Sequence, residues 1–280
     1  MKTINNYIQE KLIINKNTHL RKQYFPETKE ELRGILEELL KTNKNANLNN
    51  INVSKITNMD GLFKDLDPHN IDISEWDVSN VTNMADMFEE CENFNCNLSN
   101  WKVSNLNKSF GMFYGCKKFN SDLSKWDVSN ISYAAYMFGY CEEFNGDLGN
   151  WDVSKFDTGS HMFYGCIKFE GKGLENWDVS NIEDMDYMFA NCENFNQDIS
   201  KWDVSKVKTM NLMFFSCTKF NQDLGNWNLV KLEHATMAFD YCKSFEGKGL
   251  ENWKVPILKD TKDMFADCPN LKNKPSWYHE

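Results

Sequence analysis

The chain has 280 residues and a formal net charge of -10; 14% of its residues are aromatic and 26% are charged. This acidic balance argues against nucleic-acid binding, because proteins that bind the phosphate backbone rely on clustered lysine and arginine side chains. No stretch approaches the roughly 20 apolar residues of a membrane span, and the first residues show no signal peptide. We therefore expect a cytoplasmic protein, or one associated with a host cell or a virion. Surface display would require a missing leader or signal-independent export.

An N-terminal segment, residues 1–45, precedes the regular part of the chain. Thr28 and Glu31 have the spacing of a helix capping box. The apolar residues that follow have helical spacing: Leu32, Ile35, Leu36, Leu39 and Leu40. We predict an amphipathic helix that covers the first repeat, and a further helix or strand at residues 7–14. The segment either caps the array or docks it to a larger assembly.

Residues 46–271 repeat one pattern every 25 or 26 residues. Most copies carry a tryptophan: Trp76, Trp101, Trp126, Trp151, Trp177, Trp202, Trp227 and Trp253. A degenerate first copy has Ile51 in this position, which gives nine repeats. Such a period indicates units that stack along an axis and bury their apolar sides against each other. We predict an α/β fold, a leucine-rich-repeat-like solenoid, ending in an irregular C-terminal cap at residues 272–280 that includes Trp277.

Each repeat contains two periodicities. In the first half, Leu98, Trp101 and Val103 follow the spacing of a leucine-rich-repeat strand, with Lys102 on the opposite face. In the second half, apolar residues recur on one face of a helix: Met84, Met87, Phe88, Cys91 and Phe94. We predict a short parallel strand and a helix of two to three turns in every repeat. Strands joined by a crossover helix wind almost always to the right, so we expect a right-handed coil.

Four rows of equivalent side chains are predicted to form the core. They are the tryptophans, the mostly methionine row from Met87 to Met264, the phenylalanines from Phe88 to Phe265 and the cysteines from Cys91 to Cys268. A further row is predicted to satisfy backbone groups between repeats with its amides: Asn70, Asn95, Asn120, Asn145, Asn196 and Asn221.

The chain has nine cysteines, eight of which occupy the same position in successive repeats. Zinc sites need closely spaced pairs of cysteines, and disulfides belong to exported proteins. We therefore interpret the eight cysteines as small, buried, reduced side chains. Cys96 lies outside this row and is the thiol that we expect to be exposed.

Outward-facing positions are the candidates for function. The residue after each tryptophan forms a mostly acidic row, the predicted partner-binding site: Asp77, Lys102, Asp127, Asp152, Asp178 and Asp203. Neighbouring strands lie about 4.8 Å apart, so successive carboxylates would repel each other unless a hydrogen bond, a cation or a basic partner relieved the repulsion. Two interpretations stay open: a surface that binds a partner, and local bonding of each aspartate to a nearby serine or backbone N–H group.

The sequence gives no sign of an enzyme. The histidines are scattered (His19, His69, His161, His234 and His279), and no metalloprotease, nucleophile-elbow or nucleotide-loop motif occurs. We predict no catalytic residues, no cofactor and no metal ligands.

The segments Trp76-Asp77-Val78-Ser79-Asn80-Val81-Thr82-Asn83-Met84 and Met87-Phe88-x-x-Cys91-x-x-Phe94-Asn95 resemble the repeat of BspA-like leucine-rich repeat surface proteins of mycoplasmas, gut bacteria and their phages. The resemblance covers residues 48–271 and implies a solenoid used in adhesion and protein-protein contact. We therefore expect a monomeric, non-enzymatic recognition scaffold for a protein partner with a basic surface. The alternatives are a component of a larger assembly such as a phage particle, docked through the N-terminal segment, and a surface adhesin that binds host protein or glycan.

Overall fold

The computed structural model describes residues 24–279, and this range holds one α-helix, α1 at Lys29–Thr42. Two short 3-10 helices lie at Leu174–Asn176 and Leu250–Asn252. The rest of the described chain forms turns and extended stretches, with no strand longer than an isolated bridge. The helix or strand predicted at residues 7–14 lies outside the described residues.

Successive repeats stack in register as coils that are joined by parallel backbone bridges. The bridged residues lie 25 or 26 positions apart: Asn58, Asn83, Lys108, Tyr133, Thr158, Asp184, Thr209, His234 and Asp260. Beyond each bridge, every second N–H group donates to a carbonyl of the next coil, as Asp86 does to Phe110 (2.8 Å) and Phe88 to Met112 (2.9 Å). We call this array the backbone ladder. It fixes the register, because a slip by one residue would turn core side chains outward.

The predicted helix in the second half of each repeat is wrong. Residues 84–91 form consecutive turns, in which the N–H of Met87 donates to the carbonyl of Met84. Asp86 and Glu90 have φ values of 51° and 57°, outside the range of a right-handed helix. Alternate N–H groups bond to the next coil and so cannot make helical bonds. Successive turns still return a side chain to the core every three or four residues, and this produces the apolar spacing of a helix.

The predicted parallel strand at the tryptophans is wrong in its pairing. Trp101 and Val103 are buried and Lys102 is exposed, so the predicted alternation is confirmed. However, the bridges that join the repeats from residue 58 onward lie in the row of Asn83, and none joins two tryptophans of the described chain. Ile51, at the tryptophan position of the first repeat, bridges Tyr24, which precedes the array. The indole N–H of Trp101 instead donates to the carbonyl of Ile73 in the preceding repeat (3.1 Å), and the other tryptophans do the same. The right-handed sense of the coil and its likeness to leucine-rich repeats stay predictions.

The four predicted core rows are confirmed. Their side chains are at most 9% exposed. In the phenylalanine row, neighbouring rings from Phe88 to Phe265 stack with centroids 5.2 to 5.8 Å apart. The asparagine row also bonds as predicted: the Asn145 N–H, for example, donates to Oδ1 of Asn120 (2.9 Å). Since burying one phenylalanine contributes roughly 1.5–3 kcal/mol, the stacked rings are a major source of stability.

All nine cysteines are free and buried. The Cys116 thiol donates to the carbonyl of Phe88 in the preceding coil (3.0 Å), and the bond recurs along the row. Burial raises the pKa of Cys91 to about 12, so this thiol stays protonated and unreactive. The expectation that Cys96 is exposed is wrong. Its side chain is 5% exposed, because its position faces inward like those of Ile71 and Ser121 in the adjacent repeats.

Helix α1 closes the first coil. Thr28 accepts the N–H of Glu31 (3.2 Å) and begins the helix, as the capping pattern predicts. In later coils, the carbonyls of the backbone ladder accept N–H groups from the preceding coil, and the first coil has no such neighbour. Basic side chains of α1 replace those donors: Lys29 donates to the carbonyl of Asp60 (3.1 Å), and Arg33 donates to Leu62 (3.0 Å) and Lys64 (2.6 Å).

The C-terminal cap is more regular than predicted. The Trp277 indole stacks on Trp253 with centroids 5.6 Å apart, and its N–H donates to the carbonyl of Leu250 (2.8 Å). Both contacts are those of the tryptophan row. Trp277 lies 24 residues after Trp253. Because this spacing is shorter than 25 or 26 residues, the sequence pattern did not identify Trp277 as the ninth tryptophan of the row.

Candidate functional site

The predicted partner-binding row is exposed along its whole length: Asp77, Lys102, Asp127, Asp152, Asp178 and Asp203. Every aspartate in it accepts the N–H of the serine two residues later at 3.1 to 3.2 Å, or 3.0 Å for Asp203. The Ser154 hydroxyl also donates to Asp152 (2.6 Å), and the side-chain bond from serine lowers the pKa of Asp152. These carboxylates therefore already have local donors, as one of the two interpretations requires. Binding of a partner by this row stays a prediction.

A second surface lies on the side of the backbone ladder. Eight rings from four consecutive repeats gather there, and we call this surface the aromatic face: Phe110, Tyr114, Tyr133, Tyr136, Tyr140, His161, Tyr164 and Tyr187. Tyr133 is 44% exposed and the others are half-buried. A contiguous group of large rings at the surface is the kind of feature that marks an interaction site.

The rings of the aromatic face form one contact network. The His161 imidazole stacks between Tyr136 and Tyr187, with centroid distances of 4.2 and 4.4 Å. Tyr140 meets Tyr164 at 4.7 Å with the rings inclined by 61°. Because each ring is held by its neighbours, the surface is ordered before any partner arrives, which lowers the entropic cost of binding.

Glycines in adjacent coils make room for these rings. A Cβ at Gly139 would lie 2.8 Å from the Tyr114 ring, and one at Gly165 would lie 2.8 Å from the Tyr140 ring. The order of tyrosine and glycine therefore alternates between three successive repeats. It is Tyr-Gly at residues 114–115, Gly-Tyr at residues 139–140 and Tyr-Gly at residues 164–165. The Tyr114 and Tyr140 rings therefore lie against the glycine backbone of the following coil.

Several rings are attached to backbone in the left-handed region. Tyr136, Tyr140, His161 and Tyr187 have φ between 56° and 60°, which is uncommon for large residues. The same positions hold glycine in other repeats, for example Gly61 and Gly111. Glycine fits this backbone without strain, so the rings are held at some conformational cost. The same φ recurs with other residues at these positions along the stack, for example at Asp86 and Leu212, so the strain belongs to the repeated turns.

Uncharged rings and flanking carboxylates define the electrostatics of the face. Burial raises the pKa of Tyr136 and lowers that of His161, so both are neutral at physiological pH. Asp86 lies before the rings along the stack and Asp184 beside their far end, and burial raises the pKa of both carboxyls. Negative charges held in partly buried positions favour a partner that brings cations.

Sequence reasoning missed the aromatic face because it assigned these residues to the outer side of a helix. The available signal was variation between copies. The two positions before each methionine-phenylalanine pair and the two positions after it change from repeat to repeat, whereas the core positions are nearly constant. Aromatic residues concentrate in the variable positions of four neighbouring repeats.

Asp240, on the same side of the stack, tests whether a buried carboxylate without a hydrogen-bond partner destabilises the fold. Its side chain is 6% exposed, its Oδ1 has no hydrogen-bond partner among the described residues, and burial raises its pKa. A raised folded-state pKa means that the ionised carboxyl destabilises the fold at neutral pH and that the protonated one does not. Asp240→Ala is therefore expected to raise the free energy of unfolding by about 1–3 kcal/mol near neutral pH, measured by urea denaturation.

This gain should vanish well below the carboxyl's unfolded pKa of about 3.9, where Asp240 is protonated in both states. Asp157→Ala, at an exposed carboxylate, serves as the matched control and should change stability by less than about 0.5 kcal/mol. A gain of equal size in acid would show that charge is not its cause.

The stacked coils, with a constant core and a variable face, define a repeat protein. The family described as "Mycoplasma protein of unknown function, DUF285" matches residues 31–151, 110–173 and 158–278, and the chain belongs to this family. No curated protein and no solved structure matches the chain. Residues 24–279 contain no helix with the length and hydropathy to cross a bilayer. In the described part of the chain, no three histidine, cysteine, aspartate or glutamate side chains are grouped to hold a metal ion.

Proposed function

We propose that the protein is a non-enzymatic recognition scaffold, of the BspA-like leucine-rich-repeat type, that binds a protein partner through the aromatic face. The observation that carries this proposal is the concentration of eight rings at positions that vary while the core repeats. Stability requires the core rows to stay constant, but it does not require aromatic residues in strained positions at the surface.

The chemistry of the face suits a protein surface with basic and apolar groups. Tyrosine is enriched in binding hot spots because it supplies a large contact area with few rotatable bonds. The phenol groups add hydrogen bonding, and the ring faces attract lysine and arginine cations. The net charge of -10 and the carboxylates of Asp86 and Asp184 add long-range attraction for such a partner.

A random-peptide display library, selected on the full chain, tests the proposal. We expect enrichment of peptides that combine basic and aromatic residues. The double variant Tyr164→Ala with Tyr187→Asp should weaken their binding about 10- to 100-fold, as expected for hot-spot residues. Both replacements occur naturally in the same rows, at Ala190 and Asp86. Since the added aspartate strengthens attraction for a basic peptide, a loss of affinity would report the missing rings.

The aspartate row supplies the matched control, with asparagine placed at Asp127, Asp152, Asp178 and Asp203. Asn52 holds the equivalent turn by accepting the Ser54 N–H (3.0 Å), so this variant should fold normally. Unchanged peptide binding by this variant supports the aromatic face. Binding that is lost here and kept in the tyrosine variant would move the site to the aspartate row. Selective binding on a glycan array with no peptide enrichment would favour the adhesin alternative and overturn the proposal.

A further inference from the structure

A pocket of about 190 Å³ opens at the N-terminal margin of the aromatic face. Its lining consists of Asp86, Glu89, Phe110, Gly111, Tyr114 and Tyr136. Small-molecule sites usually occupy about 300–1,000 Å³, whereas one water needs about 30 Å³. The pocket therefore has the size for one end of a side chain.

Three rings line this pocket at steep angles to one another. Phe110 and Tyr136 have centroids 5.6 Å apart and planes inclined by 61°. Tyr114 and Tyr136 have centroids 5.9 Å apart and planes inclined by 68°. Rings at these angles contact each other edge to face and do not lie in a flat stack. The faces of aromatic rings are electronegative, and several faces around one space make a site for an organic cation.

The lining of the pocket includes one carboxylate, that of Asp86, without a hydrogen-bond donor among the described residues. Asp86 lies against Gly111, where a Cβ would collide with its Oδ1, and no hydrogen-bond donor among residues 24–279 reaches its side chain. Glu89 differs, because Lys64 pairs with its carboxylate at 2.5 Å. Burial raises the pKa of Asp86 and the neighbouring charge of Glu89 raises it further, while the nearby Lys64 ammonium lowers it. A partly buried carboxylate that accepts no hydrogen bond is costly, and a cation seated among the rings would offset this cost.

We propose that the pocket binds one alkylammonium or guanidinium group, the basic side chain of the partner. This inference rests on the proposed function and adds its chemical detail: the rings surround the cation, Asp86 balances its charge, and the rest of the aromatic face contacts the flanking residues. Gly111 belongs to the site because any larger residue would displace the carboxylate.

Choline is a suitable probe, and 3,3-dimethylbutan-1-ol is its uncharged counterpart of the same shape. We expect choline to bind saturably, with a Kd on the order of 1–10 mM for so small a contact. The amide signals of Gly111, Tyr114 and Tyr136 should shift in a two-dimensional NMR titration. The alcohol should leave them unchanged. Equal shifts from both compounds, or no saturable shift with choline, would overturn the proposal.

Asp86→Asn is the critical variant. Asp86 has a φ of 51°, and asparagine tolerates this backbone nearly as well as aspartate. We expect choline binding to weaken at least about tenfold, consistent with loss of one close ion pair. Asp263→Asn changes the same position of the last coil, where φ is 53°, and should leave choline binding intact. Equal affinity of wild type and Asp86→Asn would contradict the inference.

The choline titration uses no partner, so its outcome is independent of the peptide selection. If choline binds but peptide binding is unaffected by the Tyr164 and Tyr187 substitutions, the cation pocket is supported and the proposed function is rejected. If peptide binding depends on Tyr164 and Tyr187 but is unaffected by Asp86→Asn, the proposed function is supported and the cation pocket is rejected.

Discussion

Replacing Phe163 with alanine is expected to lower the free energy of unfolding by about 3–5 kcal/mol. The Phe163 ring is fully buried and stacks between Phe138 (5.6 Å) and Phe189 (5.7 Å). It also contacts Phe169 (4.3 Å) and Trp177 (6.0 Å). The rings above and below are fixed by their own coils, so they cannot collapse into the space that the substitution leaves, and the cavity stays open.

Urea denaturation followed by tryptophan fluorescence measures this loss. Val230→Ala, in a side chain that is 39% exposed, is the control and should change stability by less than about 0.5 kcal/mol. If the free energy of unfolding of Phe163→Ala depends less steeply on urea concentration than that of the wild type, the two halves of the array unfold separately, since each coil contacts only its neighbours. A loss below about 1 kcal/mol would contradict the continuous ring stack.

The core could be predicted from the sequence because burial selects the residue type at each core position. Tryptophan, methionine, phenylalanine and cysteine recur at fixed positions, and only a stack of equivalent coils lets all of them be buried together. The direction of the backbone N–H groups does not select residue types in this way, so it could not be predicted. Apolar spacing of three and four residues fits a helix and a series of turns equally well, so spacing alone could not identify the turns.

Glycine could have distinguished the two. Gly61 and Gly111 occupy one position of the predicted helix, and Gly115 and Gly165 another. Glycine costs about 1 kcal/mol in the interior of a helix, so its recurrence there points to backbone with positive φ. The aromatic face required the same correction, because its rings become neighbours only when these positions project from turns in adjacent coils. The partly buried carboxylate of Asp86 could not be predicted, since its burial depends on contacts between repeats.

Gly173→Ala is expected to lower the free energy of unfolding by about 2–5 kcal/mol, combining left-handed strain with overpacking. Gly173 has a φ of 90°. A Cβ there would collide with the backbone of Gly149 in the preceding repeat and lie 2.9 Å from Oδ1 of Asp147. The extra residue of this 26-residue repeat brings the two backbones together, which explains why glycine replaces the serine found at the position of Gly149 in several other repeats. Urea denaturation again measures the loss.

Gly61→Ala separates the two contributions to this loss. Gly61 has a φ of 58°, and a Cβ there would meet no atom within 4 Å, so this variant should lose only the strain of about 1–2 kcal/mol. The other long repeat provides a replicate, because a Cβ at Gly249 would collide with Gly225 in the same way. If Gly173→Ala and Gly249→Ala lower the free energy of unfolding no more than Gly61→Ala does, the two backbones do not approach as closely as the structure indicates. A larger loss at both positions would establish that the longer repeat is accommodated by paired glycines in adjacent coils.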